Sequence, residues 1–591
     1  MSEADDTFGG SDRRFPIPKL IEALRCGYNA RDALKDLGAG VTVGVVALPL
    51  AMAFAIASHV TPERGLFTAI VAGFLISLLG GSRYAVGGPT GAFVVIIAGI
   101  VDRHGYEGLV LTTLMAGVIL LVMGAAKLGK LIKFIPYPVI TGFTSGIAVL
   151  IFSSQISDFL GMGLKNVPAE FGPKVAVLFE SLHLTDAPTA IIGFGSLLAI
   201  LAARRFFPKI PGPVFGVTLG AVLVSAMDLP VETIGTRFGG IPESLPAFTP
   251  VALDWSSLKA LLPDALTIAL LAGIESLLCC VVADGMTGDR HDSSMELLAQ
   301  GSANIASVFF GGIPATGAVA RTVTNIKSGA VSPVAGCIHA LVLVAFVLFA
   351  APLASAIPLS SLAAVLLVVA FDMSEYRKFG RLLRAPRSDV AVLLSTFALT
   401  VFVDLTVAVY VGVLLASLLF MRRMSEMTDI CACRLKDGED SSLAVADLAG
   451  GGSDVDLGGD LCPLPGGKWR VIPEGVQVYE IDGPFFFGIA DRFQDILDVV
   501  SGSPKAFVLD VTHTPTIDST GVNALENFLK KCRRRGIRVL FVGMRPHFIR
   551  TLHRFGTDDA IGSENIFARL SDALAAAAGP TQRNAAGHYV T

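Results

Sequence analysis

G-G-S-R-Y-A-V-G-G-P-T-G-A-F-V-V-I-I-A-G-I-V, residues 80–101, contains an apolar run that stops too soon. Only twelve residues, Thr90 to Val101, precede the charged pair Asp102 and Arg103. As a helix they reach roughly 18 Å. The hydrocarbon core of a bilayer is roughly 30 Å thick. A second stretch fails in the same way. G-G-I-P-A-T-G-A at residues 311–318 opens a run that ends at Lys327 and contains Arg321. Each run follows a Gly/Pro prelude and starts at Thr-Gly-Ala. Short, Gly/Pro-interrupted segments at matching places in two halves point to a transporter of inverted repeats, with its site at the breaks. The bland alternative is a pair of kinks with no binding role.

Working outward, other apolar runs begin near Leu37, Gly65, Leu109, Ile135, Ala187 and Gly212. After a polar stretch from Asp228 to Lys259 they resume near Pro263, Met295, Pro333, Leu359, Val390 and Leu405. With the two short runs this makes seven, a gap, then seven, and each short run is third in its set. The expected fold class is therefore a polytopic α-helical membrane protein, with 14 spans in a 7+7 inverted repeat over residues 37–424 (repeats about 37–228 and 260–424). Composition agrees: 52% of the 591 residues are hydrophobic and 16% charged, against about 25% charged in soluble domains. An even number of spans leaves both termini on one side. Lys and Arg concentrate in the loops after even-numbered spans, as in Arg204, Arg205, Arg377, Lys378, Arg422 and Arg423. The expected localisation is a bacterial inner membrane, and that bias places both termini on its cytoplasmic side. Residues 1–36 are polar and hold no signal-peptide core.

A helix N-terminus offers free N–H groups and partial positive charge. Two such ends meeting at mid-membrane make an anion site without a metal. Thr90 and Thr316 either cap the helices or offer hydroxyls to the ligand. Arg321 is a costly intramembrane cation; it either adds positive potential or pairs with Glu275. Glu275 is the only carboxylate in A-L-T-I-A-L-L-A-G-I-E-S-L-L-C-C-V-V, residues 265–282. It either carries a proton with the substrate, ligates a cation, or makes a structural hydrogen bond. A net charge of −4 gives no sign of nucleic-acid binding. Eight scattered cysteines show neither zinc spacing nor a disulfide framework. No cofactor fingerprint, metal cluster or nucleophile motif suggests an enzyme.

Beyond Arg423 the composition changes. Residues 425–474, rich in Gly, Asp and Ser, read as a linker. Residues 475–578 read as a small α/β domain, and residues 579–591 as a tail. Strands are expected at 476–480, 506–510 and 539–542, and helices at 492–500, 521–535 and 545–555. Asp518 stands as an N-cap ahead of Ser519, Thr520 and Gly521.

These segments resemble the sulfate permease (SulP) family of anion transporters, solute carrier family 26 in animals. The resemblance rests on A-L-P-L-A-M-A-F-A (47–55), the stretch 80–92, G-F-T-S-G-I (142–147), A-G-I-E-S-L-L (272–278) and A-R-T-V-T-N-I (320–326). It implies core and gate domains, an elevator-like movement, a homodimer and a C-terminal cytoplasmic STAS domain. The implied anion site lies among Pro49, Leu50, Phe54, Thr90, Gly91, Thr316, Gly317 and Ala318, with Glu275 and Arg321 as its charges. I-D-S-T-G at 517–521 resembles the phosphorylatable turn of anti-sigma-factor antagonists, which marks Ser519, with Thr520 beside it, as a modification site. It also implies a cytoplasmic protein partner for that domain. The wording around Glu275 looks most like the proteobacterial C4-dicarboxylate branch. Cys279 and Val319 stand where sodium-dependent bicarbonate relatives carry hydroxyl residues, which favours protons over sodium. The rival expectations are sulfate, bicarbonate or chloride transport on the same fold, and a membrane-anchored STAS sensor.

Overall fold

The computed structural model describes residues 17–25, 27–129, 136–164, 167–168, 170–207, 211–250, 258–403, 405–426, 429–433, 475–486 and 504–578. Lys130, Lys133, Lys209, the expected helix 492–500 and the tail 579–591 lie outside these residues. The chain divides into two compact units, one up to Ala416 and one from Ser417.

The first unit is helical. Its long elements are α1 (Ala30–Ala57), α2 (Pro62–Leu79), α3 (Gly91–Ala125), α4 (Tyr137–Leu160), α5 (Ala187–Phe206), α6 (Gly212–Met227), α7 (Leu258–Thr287) and α8 (Ser293–Phe309). They continue with α9 (Val319–Lys327), α10 (Val334–Phe349), α11 (Leu359–Met373) and α12 (Arg387–Phe402), and α13 (Leu405–Glu426) runs across the division at Ala416. Among the described residues, seven helices are long and apolar enough to cross a membrane: α1 to α5, α7, and Leu359–Leu382, which runs on through the short helix after α11. Two more apolar helices, α6 and α10, are shorter. Outward-facing side chains such as Ile191, Phe194 and Leu198 are large, apolar and exposed, as a lipid-facing belt requires.

Helix α1 begins at Ala30, inside the segment read as a polar terminus. Asn29 Oδ1 accepts from the amides of Arg31 and Asp32 at 2.9 and 3.1 Å. This is a cap, and hydropathy does not register it. Close packing runs through small residues. A Cβ on Gly40 would fall 2.6 Å from Ala335 O, so α1 and α10 approach backbone to backbone. Gly117 and Gly301 do the same for α3 and α8.

The third and fourth apolar runs lie on one helix assignment, Gly91–Ala125. Helix α3 has two limbs, joined at Gly105 with φ +67°. Two short strands cross in front of α3 and α9. β1 (Gly87–Gly88) pairs antiparallel with β2 (Thr316–Gly317), Gly87 opposite Gly317 and Gly88 opposite Thr316.

The second unit holds a five-stranded sheet in the order β3-β4-β5-β6-β7. Its strands are β3 (Asp429–Cys433), β4 (Val476–Asp482), β5 (Ala506–Asp510), β6 (Arg538–Val542) and β7 (Ile566–Phe567). β3 runs antiparallel to β4, and the remaining pairs are parallel. This corrects the linker reading: Asp429–Cys433 is an edge strand, too short to show a hydrophobic period. One face buries Phe507, Leu509, Phe528, Phe541 and Phe548. The other buries Val508, Leu540, Val542 and Leu574. Strands covered on both faces read as continuous apolar runs, which is why A-F-V-L and V-L-F-V were visible. Asp518 Oδ1 accepts from Gly521 N at 2.7 Å and caps the helix Ser519–Arg534. Ser519 and Thr520 stand exposed in its first turn. Asp518→Ala is expected to destabilise that turn by about 1 kcal/mol. Amide exchange near residue 521 in the full-length protein should then rise about fivefold; an unchanged rate would show that the cap does not hold the turn.

Candidate functional site

The β1–β2 ribbon brings the starts of α3 and α9 together. Thr90 is the N-cap residue of α3, yet its side chain makes no capping bond. Its hydroxyl instead donates to Glu275 Oε2 at 3.0 Å. The free N–H groups of the first turn of α3 therefore receive no acceptor from the Thr90 side chain. The second helix starts later than expected. Ala318, not Thr316, is the N-cap residue of α9, and its amide is held by Val86 O at 2.9 Å.

Thr316 lies on β2 and is fully buried. Its hydroxyl donates to Ala272 O at 3.0 Å and lies 2.7 Å from Ser276 Oγ. Ser276 Oγ also accepts from Gly317 N at 3.0 Å. The Thr316 hydroxyl thus fastens β2 to α7 and does not cap α9. Ser276 was not singled out from the sequence, although it directly follows Glu275.

Arg321 is 2% exposed. Its Nη1 donates to Gly87 O at 3.3 Å and its Nη2 to Pro89 O at 3.2 Å. No ion pair with Glu275 forms, so that alternative is overturned. The geometric reason is the fork: one guanidinium spans two carbonyls of the crossing strand, while Glu275 turns to Thr90. Burying a charge without a counter-charge is costly. Carbonyl dipoles offset part of that cost, and an anion at the helix ends would offset more.

Gly88 makes the arrangement possible. Its φ is +147°, and a Cβ there would land on Arg321 Nη1. Gly88→Ala should therefore displace the guanidinium and strain the ribbon by about 1–3 kcal/mol. A loss of initial uptake of at least about tenfold is expected with an intact elution profile; uptake like wild type would show that the ribbon tolerates the shift.

Phe54 of α1 stands beside Gly91. A Cβ on Gly91 would meet Phe54 Cε1 at 3.3 Å, Met373 Sδ at 2.8 Å and Ile151 Cδ1 at 3.6 Å. Pro49 and Leu50 are buried within α1, and Pro49 withholds an amide from its helix ladder. Phe54, Thr90, Gly91, Glu275, Gly317, Ala318 and Arg321 are thus assembled around one ribbon. Met373 of α11 and Ile151 of α4 join them at Gly91, and nothing in their own sequence surroundings marked them. A fully buried imidazole, His339 of α10, packs behind Gly73. Neither of its ring nitrogens has a hydrogen-bond partner among the described residues.

Comparison with known proteins places the whole chain. The profile of the Sulfate permease family matches residues 34–396, and that of the STAS domain matches residues 470–573. The chain is 42% identical over 547 residues to "Putative sulfate transporter YvdB" of Bacillus subtilis, covering 92% of this chain and 97% of that protein. It is 30% identical over 551 residues to the bicarbonate transporter BicA of a Picosynechococcus strain, covering 89% and 91%. The solved transmembrane domain of a cyanobacterial bicarbonate transporter BicA is similar at TM-score 0.57 and 32% identity, over 66% of this chain and 98% of that one. The murine solute carrier 26 family member A9 anion transporter, solved inward-facing, gives TM-score 0.80 at 16% identity, over 97% and 96%. At that identity the likeness is one of fold.

Proposed function

The chain belongs to the sulfate permease family, whose members are transporters rather than enzymes, and from that premise we propose that it carries small anions across a bacterial inner membrane in symport with protons. Sulfate, bicarbonate and anion transport are what its relatives are named for, and anion transport is the ground they share. The observation that supports the reading best is Arg321. A guanidinium 2% exposed bonds only to main-chain carbonyls beside two helix starts, and the neighbouring carboxylate is engaged by Thr90. With Glu275 protonated, as the symport reading has it, the charge left at the helix starts is that of Arg321, positive.

The proposed substrates are C4-dicarboxylates such as succinate and fumarate, from the resemblance around Glu275. The names of the relatives favour sulfate or bicarbonate as the second reading. Glu275 carries the proton in this proposal, and sodium is disfavoured: Cys279 offers a thiol, which donates to the Thr322 hydroxyl at 3.0 Å, where a sodium site needs oxygen ligands. The ribbon-bound core, with α3 and α9, moves elevator-like past α4 and α11 in a homodimer of 14-span protomers. Both termini are cytoplasmic, and the STAS domain receives a cytoplasmic partner or a phosphoryl group at Ser519.

Proteoliposomes of the full chain test the substrate. Uptake of labelled succinate, stimulated by inward acidification, is the expected result. Sulfate uptake without succinate uptake would replace the dicarboxylate reading with the second one. Uptake of neither, nor of bicarbonate or chloride, would end the transport reading.

A further inference from the structure

A cavity of about 920 Å³ opens along the first limb of α3. Its walls come from the C-terminal end of α1, the first limb of α3, α4, the end of α12 and the short helix Phe171–Glu180. Val94 and Leu150 line its inner end. Val94 is one helical turn from Gly91, and Leu150 adjoins Ile151, so the cavity ends about one turn from the α3 start.

Four basic residues line this cavity: His59, Arg103, Lys174 and Arg237. Three of them are engaged. Arg103 reaches both oxygens of Asp264 at 3.2 Å. Arg237 holds Asp158 at 3.0 Å. His59 Nδ1 lies 2.8 Å from Asp102 Oδ1. The Lys174 ammonium has neither an ion pair nor a hydrogen bond among the described residues. Burial holds it below the usual lysine range, while the charge of Asp102 acts in the opposite direction. Glu170, one turn earlier, accepts the Lys174 backbone amide through its own carbonyl; its carboxylate forms no pair with the ammonium. A half-buried ammonium with no ion pair among the described residues gains more from a mobile anion than a paired one does.

We propose that Lys174 forms an entry site, where the transported anion is first held near the Asp102 level of a cavity whose inner end lies one helical turn short of Gly91. The ligand class is the small carboxylate or oxyanion of the transport reading, on which this inference rests. At the entry site the ammonium supplies charge and Asp102 competes with the ligand for it. Lys174 touches the anion before translocation, so it sets apparent affinity and leaves turnover to the ribbon.

The test is initial uptake by proteoliposomes at low and high salt, with wild type, Lys174→Gln, Lys174→Arg and Asp102→Asn. Lys174→Gln should raise KM about fivefold at low salt, the worth of one partly screened charge, with kcat within twofold. The difference should shrink at about 1 M salt, where the screening length falls to about 3 Å. Lys174→Arg should restore KM, and Asp102→Asn should lower it. An unchanged KM for Lys174→Gln in active vesicles would overturn the entry site alone. A defect in kcat that Lys174→Arg does not rescue, and that salt does not diminish, would overturn it in favour of a structural role. Wild-type vesicles inert to every anion would instead remove the transport reading beneath it.

Discussion

Arg321→Gln is expected to raise the KM for the transported anion roughly a hundredfold. A unit charge about 5 Å from an anion, at an effective dielectric of about 20, contributes about 3 kcal/mol, and each 1.4 kcal/mol is about tenfold. Gln is the informative replacement because its amide still donates to one of the two carbonyls that the guanidinium serves, Gly87 and Pro89. Arg321→Ala removes both donors, and each buried acceptor left unmade costs about 1–3 kcal/mol of stability. Arg321→Lys keeps the charge and loses the fork, so its KM should stay within about tenfold of wild type. Concentration dependence of uptake, with elution profile as the check on folding, separates charge from scaffold. A Gln variant with unaltered KM would show that the charge is spent on the carbonyls alone.

Glu275→Gln is expected to abolish the pH dependence of uptake while assembly stays intact. The variant keeps an oxygen to accept from the Thr90 hydroxyl, which holds Glu275 Oε2 at 3.0 Å. What it loses is the capacity to bind and release a proton. With one proton per anion, a gradient of one pH unit supports about tenfold accumulation, since one unit is about 1.4 kcal/mol. Wild-type vesicles should accumulate anion toward that ratio as the outside is acidified. The variant should equilibrate without the proton term. A variant that still follows the pH gradient would move the proton to another residue.

Much of this was legible because the signals were local. The failure of residues 90–101 and 316–327 to reach across a bilayer exposed both broken helices without any knowledge of packing. The roles at the break were harder to read. Thr90 and Thr316 look alike in sequence, in P-T-G-A and A-T-G-A, yet one hydroxyl faces Glu275 and the other is locked to Ala272. Strand register decides that difference, and register depends on a partner more than two hundred residues away. Arg321 was visible as a charge out of place, but its acceptors are main-chain oxygens, which no side-chain pattern encodes. Met373 and Ile151 were invisible because an apolar residue against Gly91 looks like any other apolar residue. Lys174 drew no notice for the opposite reason: a lysine in a polar connection is ordinary until its neighbours prove to be paired with one another.

The ribbon also sets a schedule. Gly88 pairs with Thr316, which the ribosome adds about 230 residues later. At about 5–20 residues per second, the first strand waits roughly ten to fifty seconds for its mate. Through that interval the main chain at Gly87 and Gly88 lies within a nascent membrane bundle without the donors and acceptors that will satisfy it, a state that lipid penalises by several kcal/mol per group. The first half of this chain is consequently not a self-sufficient product of translation. It must be kept hydrated or sheltered until the second half arrives.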